Sequence, residues 1–235
     1  MKKKVGLYEE VYDYILEQIF HGKFVYGQKI PEEEISEYLG ISRTPIREAL
    51  RKLESDGLVE ILPKRFAQIV TLEDETIKEL GIVKLQLDSL TAQLAVFNGS
   101  NADFQKLEDI NRSLSHAIEK KDLYNVLKKD MEFHKTYTEI GGNNLLTNFQ
   151  SQIQLKIALL QSVKLKENPE LMNHSAYDHK DIIESLYLRD TEKVLQYIIP
   201  HISEFYGINA DVYSMMIADF SNGRNAIPKG ITKIF

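Results

Sequence analysis

Residues 41–60 read ISRTPIREALRKLESDGLVE, and this block leaves the chain little local choice. Ser42 is a favoured helix N-cap, Pro45 is tolerated in a first turn, and Ile46, Ala49, Leu50 and Leu53 recur at helical spacing. Asp56-Gly57 is a stop, so a helix is expected from Ser42 to about Asp56. Arg43, Arg47 and Arg51 fall on a different stripe from the apolar residues. Upstream, Leu7, Val11, Ile15 and Ile19 predict an amphipathic helix over 7–21, and Gly22 and Gly27 bracket a turn. Pro31 opens a short helix through Leu39, with Glu32, Glu33 and Glu34 in the first turn, where the helix dipole favours them. Gly40 is its natural stop.

Downstream, LVEILP and FAQIVTL predict two short strands around Pro63-Lys64-Arg65. Helices followed by a hairpin describe a winged helix-turn-helix over 1–71. From Leu72 onward the pattern is helical throughout, with helices expected near 73–97, 102–120, 122–140, 144–166, 169–188 and 190–218. Residues 72–220 form an all-helical bundle in this reading, and SNGRNAIPKGITKIF, at 221–235, a tail. The fold class is mainly α. There are no cysteines, which excludes disulfides and thiolate zinc sites and suggests a reducing compartment. Behind the opening lysines no apolar leader follows, and no stretch reaches the ~20 apolar residues of a membrane helix. The expectation is a cytoplasmic protein with no membrane partner.

The formal net charge is −6, with 11 Lys+Arg against 12 Asp+Glu over residues 1–70, and 18 against 23 beyond. Such a balance still permits nucleic-acid binding, because the phosphate field acts over roughly a Debye length, ~8 Å at physiological salt. What counts is a local basic face. Arg matches the O6/N7 edge of guanine, and a helix-turn-helix points the start of its second helix at the bases. Ser42, Arg43, Thr44 and Arg47 occupy that start; Arg51, Lys64 and Arg65 are placed for phosphates. The plainer reading is a solvated face with Arg47 paired to a glutamate, but the preceding short helix, Gly turn and following hairpin argue for DNA.

Among the histidines, His21 sits at a helix end, and His116 and His174 lack a partner at useful spacing. DMEFH differs: Asp130 and His134 leave one helix face a turn apart. His179 and His201 fall among apolar residues in the last two helices, where a buried imidazole needs a partner. Convergence of the four would give an N3O site suited to zinc, manganese, nickel or iron. The residues alone also allow a surface ion pair at 130 and 134, and leave convergence open.

The block S-R-T-P-x-R-E-A-L followed by L-x-x-D-G-L-V resembles the signature of GntR-family bacterial transcription regulators over residues 7–70. That resemblance implies a homodimer on a two-fold symmetric operator in double-stranded DNA. Phe66 stands where the family's hairpin usually has Gly, so this wing is expected to have its own geometry. Residues 73–218 resemble the FCD ligand-sensing domain of the FadR subfamily. The resemblance implies a divalent metal (Zn, Ni, Mn or Fe) on Asp130, His134, His179 and His201, with a small carboxylate effector completing the shell. Lys84 stands near the family's usual Arg and Asn143 at its usual Asn, which makes them the expected effector contacts; Asp88 stands where Glu is common. Pro200 is expected to kink the last helix and aim His201.

The implied function is a ligand-responsive transcriptional regulator, expected to be a repressor and not an enzyme. The alternatives are a metal-dependent helical-bundle enzyme, for which no HExxH, GxSxG or phosphate-binding loop is present, and a regulator sensing the metal itself.

Overall fold

The computed structural model describes residues 6–63 and 66–209. Lys64, Arg65 and the tail 221–235 lie outside the described residues. The elements are α1 (Leu7–Phe20), α2 (Glu32–Leu39), α3 (Arg43–Ser55), β1 (Val59–Ile61), β2 (Ala67–Ile69), α4 (Asp74–Asn98), α5 (Asn101–Glu119), α6 (Leu123–Ile140), α7 (Asn144–Glu167), α8 (Leu171–Tyr187) and α9 (Thr191–Tyr206). They form two compact units. Among the described residues, one takes those up to Leu72 together with Arg112–Glu132 and Ser151–Asn173; the other takes Glu73–Asn111, Phe133–Gln150 and those from His174.

In the first unit, Val11, Ile15 and Ile19 of α1 meet Ile35 of α2 and Ile46, Ala49, Leu50 and Leu53 of α3 in one apolar core. α2 ends because Gly40 adopts φ 67°, a left-handed turn that a Cβ would resist. α3 starts at Arg43; Ser42 occupies the N-cap position with extended backbone and makes no side-chain capping bond. The strands pair antiparallel with Val59 opposite Ile69 and Ile61 opposite Ala67. Val59, Ala67 and Ile69 face the core and Glu60 is exposed, the alternation of a half-buried ribbon, while Ile61 at the end of β1 departs from it and is exposed too. Phe66 is absent from the described non-glycine residues with positive φ, which are Lys121 and Arg189. Its ring instead lies 5.3 Å from Lys29 Nζ, and its carbonyl accepts from the Leu62 amide, closing the hairpin. α7 adds Leu159, fully buried, to this core, and Lys166 Nζ donates to the Gly22 carbonyl at 2.6 Å. Tyr124 of α6 stacks on His21, with centroids 4.6 Å apart.

In the second unit α4 lies against α9. Gly81 makes the approach possible: a Cβ at that position would run into Cβ and Cγ of Tyr206. Arg189, at φ 57°, ends the α8 segment and turns its guanidinium on the carbonyls of Val96 and Gly99, with its charge 4.5 Å from the Phe104 ring centre. A cation there suits the negative C-terminal end of α4.

Two expectations are corrected. The last helix ends at Tyr206, short of 218, because Gly207 takes φ 65° as its left-handed cap; residues 210–218 lie outside the described residues. Pro200 nevertheless sits inside a helix that continues to Tyr206. And α4, with 25 residues, is long and apolar enough to cross a membrane by length and composition, although Lys84 and Asp88 in its middle are both buried within the folded chain.

Gly81→Ala sets two effects against each other. Alanine gains about 1 kcal/mol of helix propensity over glycine, whereas overpacking costs about 1–3 kcal/mol. The clash is with atoms next to the Tyr206 backbone, which cannot swing away, so the second effect wins. The urea midpoint of Gly81→Ala is expected to fall below that of the parent protein.

Candidate functional site

The α3 face is open as expected. Ser42, Arg43, Thr44, Arg47 and Arg51 are exposed, while Ile46, Leu50 and Leu53 on the opposite side are buried. Arg43 Nη2 lies 2.7 Å from Glu33 Oε1, and Arg47 Nε lies 3.9 Å from Glu32 Oε2. Beside them runs a groove of about 440 Å³ lined by Lys29, Pro31, Glu32, Arg43, Arg47 and Phe66.

In the second unit α6, α8 and α9 bring His134, His179 and His201 together, with one ring nitrogen of each within 4.8 Å of the others. Two donors on one zinc ion at about 2.0–2.1 Å stand roughly 3.3 Å apart, so small side-chain shifts bring this set to ligating distance. His134 and His179 are buried. Desolvation, then the Lys84 charge and the other two rings, hold the His134 pKa well below its usual value; desolvation, then His201 and Lys84, do the same for His179. Both are therefore neutral at physiological pH, which is the ligating form. His201 Nδ1 donates to Asp178 Oδ2 at 2.9 Å, which leaves its Nε2 lone pair for an ion, the carboxylate–histidine arrangement that orients metal ligands. The His179 ring stacks on Phe133 with centroids 3.8 Å apart and planes 8° from parallel, which fixes its direction. The donor chemistry, burial and orientation fit a divalent ion.

Lys84 and Asp88 lie beside this cluster. Lys84 Nζ is 2.5 Å from Asp88 Oδ2 and 3.3 Å from His134 Nδ1, and Gln150 Nε2 donates to the other Asp88 oxygen. An ammonium only donates, so His134 Nδ1 accepts and the neutral ring carries its proton on Nε2. Ligation through Nε2 would require the proton at Nδ1, which stands 3.6 Å from Asp88 Oδ2, outside hydrogen-bond distance. Tyr137 Oη and Gln150 Oε1 are buried with no hydrogen-bond partner among the described residues. Burial and the Asp88 charge push the Tyr137 hydroxyl well above its usual pKa, so it remains a donor. Buried polar atoms of this kind call for a polar ligand or water.

Two predicted residues have hydrogen-bond partners of their own. Asp130 is buried but is not one of the three clustered residues; its Oδ2 accepts from Gln161 Nε2 at 2.7 Å. Asn143 is exposed and caps α7 through its side-chain oxygen, which accepts from the Leu146 amide at 3.1 Å. Gln150, two turns further along α7, reaches Asp88 instead. Sequence reasoning missed Asp178, Gln150, Tyr137 and Phe133. Only Asp178 left a trace, as the acid next to His179 in DHK.

Residues 7–67 match the family model described as "Bacterial regulatory proteins, gntR family", and residues 81–204 match the FCD domain. The chain is a GntR-family transcriptional regulator with an FCD domain. Among its relatives, the uncharacterized HTH-type transcriptional regulator YdhC of Bacillus subtilis is 22% identical, covering 86% of this chain and 90% of that one. The HTH-type transcriptional repressor RspR of Escherichia coli is 23% identical, covering 83% and 86%. The solved structure of E. coli McbR/YncC superposes with a TM-score of 0.71 at 21% identity, over 94% of this chain and 100% of that one, and so shares the fold. Members of this family and these relatives are regulators rather than enzymes.

The imidazoles make the metal-free GntR-family protein pH-sensitive. The folded pKa values of His134 and His179 lie below 6.5, so the unfolded chain binds more protons once pH drops under 6.5, and stability falls with pH from there. The slope is about 1.4 kcal/mol per group per pH unit. Thermal unfolding of chelator-treated protein between pH 7.5 and 5 is expected to show this decline, and the double variant His134→Gln, His179→Gln to flatten it.

Proposed function

We propose that this regulator is a cytoplasmic repressor, acting as a homodimer on a two-fold symmetric operator, and that its FCD domain holds a divalent ion and a small carboxylate effector. Residues 1–71 are the DNA-binding part and 72–220 the sensing part. The observation that carries the sensing half is the cluster of three imidazoles next to Lys84, two of them buried and neutral. His134, His179 and His201 are the proposed ligands for zinc, nickel, manganese or iron, where the ion would supply open coordination positions for the effector. Lys84, Tyr137 and Gln150 are the groups available to the rest of that molecule. Lys84 offers a point charge rather than the fork of an arginine, so a carboxylate meets it through one oxygen at a time.

The dimer reading rests on α4. Val83, Leu87, Leu90, Leu94 and Phe97 repeat at steps of four and three, the spacing of a helix–helix seam. Val83 is 47% exposed, Leu90 43% and Phe97 87%, an apolar stripe suited to a second copy. In the DNA-binding part, Arg43, Thr44 and Arg47 read base edges, and Arg51 meets phosphate. RspR, named as a repressor, supports the sign of regulation.

A small effect at the sensor suffices. A coupling of about 1–3 kcal/mol changes operator affinity roughly 5–150-fold, provided the effector distinguishes two arrangements of the protein. Elemental analysis of purified protein and of His134→Ala is expected to show the ion lost in the variant, with the operator still bound. Unchanged metal content would remove the proposed centre. If metal addition alone switches DNA affinity with no acid present, the ion itself is the signal. Arg43→Ala is expected to weaken operator binding by about 1–3 kcal/mol with relaxed base preference, as measured on a panel of substituted duplexes.

A further inference from the structure

The first turn of α2 carries three consecutive glutamates, two of which face arginines of a helix whose proposed task is to approach a polyanion. Their ordinary role is local, since acids at a helix N-terminus stabilise it. Glu33 does more than this. Its carboxylate lies 2.7 Å from a terminal nitrogen of Arg43, the first residue of α3, although both side chains are largely exposed. Glu32 stands 3.9 Å from Arg47, a looser ion pair with no hydrogen bond. An exposed pair of this kind contributes little to folding, so its effect is to be sought in what the arginine can reach.

We propose that Glu33 is a specificity-determining residue of the DNA-reading face. Its carboxylate holds the Arg43 guanidinium for a base edge and keeps it from a backbone phosphate. This rests on the reading that α3 enters the major groove. On DNA of arbitrary sequence an arginine gains most by meeting a phosphate, and that contact carries no sequence information. With Glu33 bound to Nη2, that contact would bring a carboxylate toward the phosphate as well, and the like charges oppose it. At a matching site the balance differs. The base edges of a G·C pair are hydrogen-bonding groups without net charge, guanine O6/N7 accepts from the guanidinium, and a glutamate can accept from the exocyclic amine of cytosine. The pair thus penalises wrong DNA more than right DNA, which is how specificity is built by repulsion. It also suits an acidic chain whose charge is −6 overall.

The test uses full-length protein, a preferred duplex selected from a random library, and a scrambled duplex of equal length, with affinities measured by fluorescence anisotropy over a series of salt concentrations. Glu33→Gln keeps the shape and removes the charge. Its binding to the scrambled duplex is expected to tighten about five- to tenfold, and the log–log salt slope to steepen by about one as Arg43 gains a phosphate. The ratio of selected to scrambled affinity is expected to fall about tenfold. Glu34→Gln removes an acid from the same helix turn and serves as the control, with no change in that ratio. Equal gains on both duplexes, or an effect matched by Glu34→Gln, would overturn the role of Glu33 while leaving α3 as the reading helix. Failure of the parent protein to bind any duplex would overturn the groove reading, and Glu33 with it.

Discussion

The FCD half depends on how a set of polar groups survives removal from water. Lys84, Asp88, His134 and His179 are all nearly inaccessible to solvent. An ionised group in such a place is tolerated only with a partner, and removing one member of a buried pair typically costs about 3–5 kcal/mol. Lys84 and Asp88 satisfy each other, Gln150 holds the second carboxylate oxygen, and the imidazoles respond by staying neutral. Burial thus gives the cluster its chemistry. The dehydration that would make a bare charge intolerable leaves nitrogen lone pairs ready for a cation.

In the head, electrostatics acts at the surface instead. The net charge of the chain says little about what α3 meets, because screening confines each charge to its neighbourhood, ~8 Å at physiological salt. Within that range Arg43 and Arg47 have glutamates as companions, and Lys29 covers the Phe66 ring. The face is a patterned one of both signs, unlike the broad positive sheet of a protein that coats DNA without preference.

The head was readable almost residue by residue, because its signals are local. Apolar residues four apart, a serine before the helix and glycines after it each fix a few dihedrals, and α1, α2 and α3 fall within a residue or two of the expected limits. The breaks at Lys121 and Arg189 were located too, although left-handed turns usually advertise themselves with glycine. In the FCD domain His134, His179 and His201 could be named from spacing and resemblance, yet their partners could not. Asp178 pairs with His201 across 23 residues and Gln150 with Asp88 across 62. Such separations leave no periodic trace. Asn143 shows the converse: an Asn just before a helix carries the same signal whether it caps the backbone or waits for a ligand, and here its oxygen is on Leu146.

The contact of Gly81 with Tyr206 has a mechanical side. His201 lies five residues before Tyr206 on α9, about 7.5 Å along the axis. Where α4 and α9 touch without room for even one methyl group, neither can slide inward. Drawing His201 toward its two companions would therefore swing α9 like a lever about that fulcrum, and the largest displacement would appear at the end of the helix remote from the glycine, near Thr191.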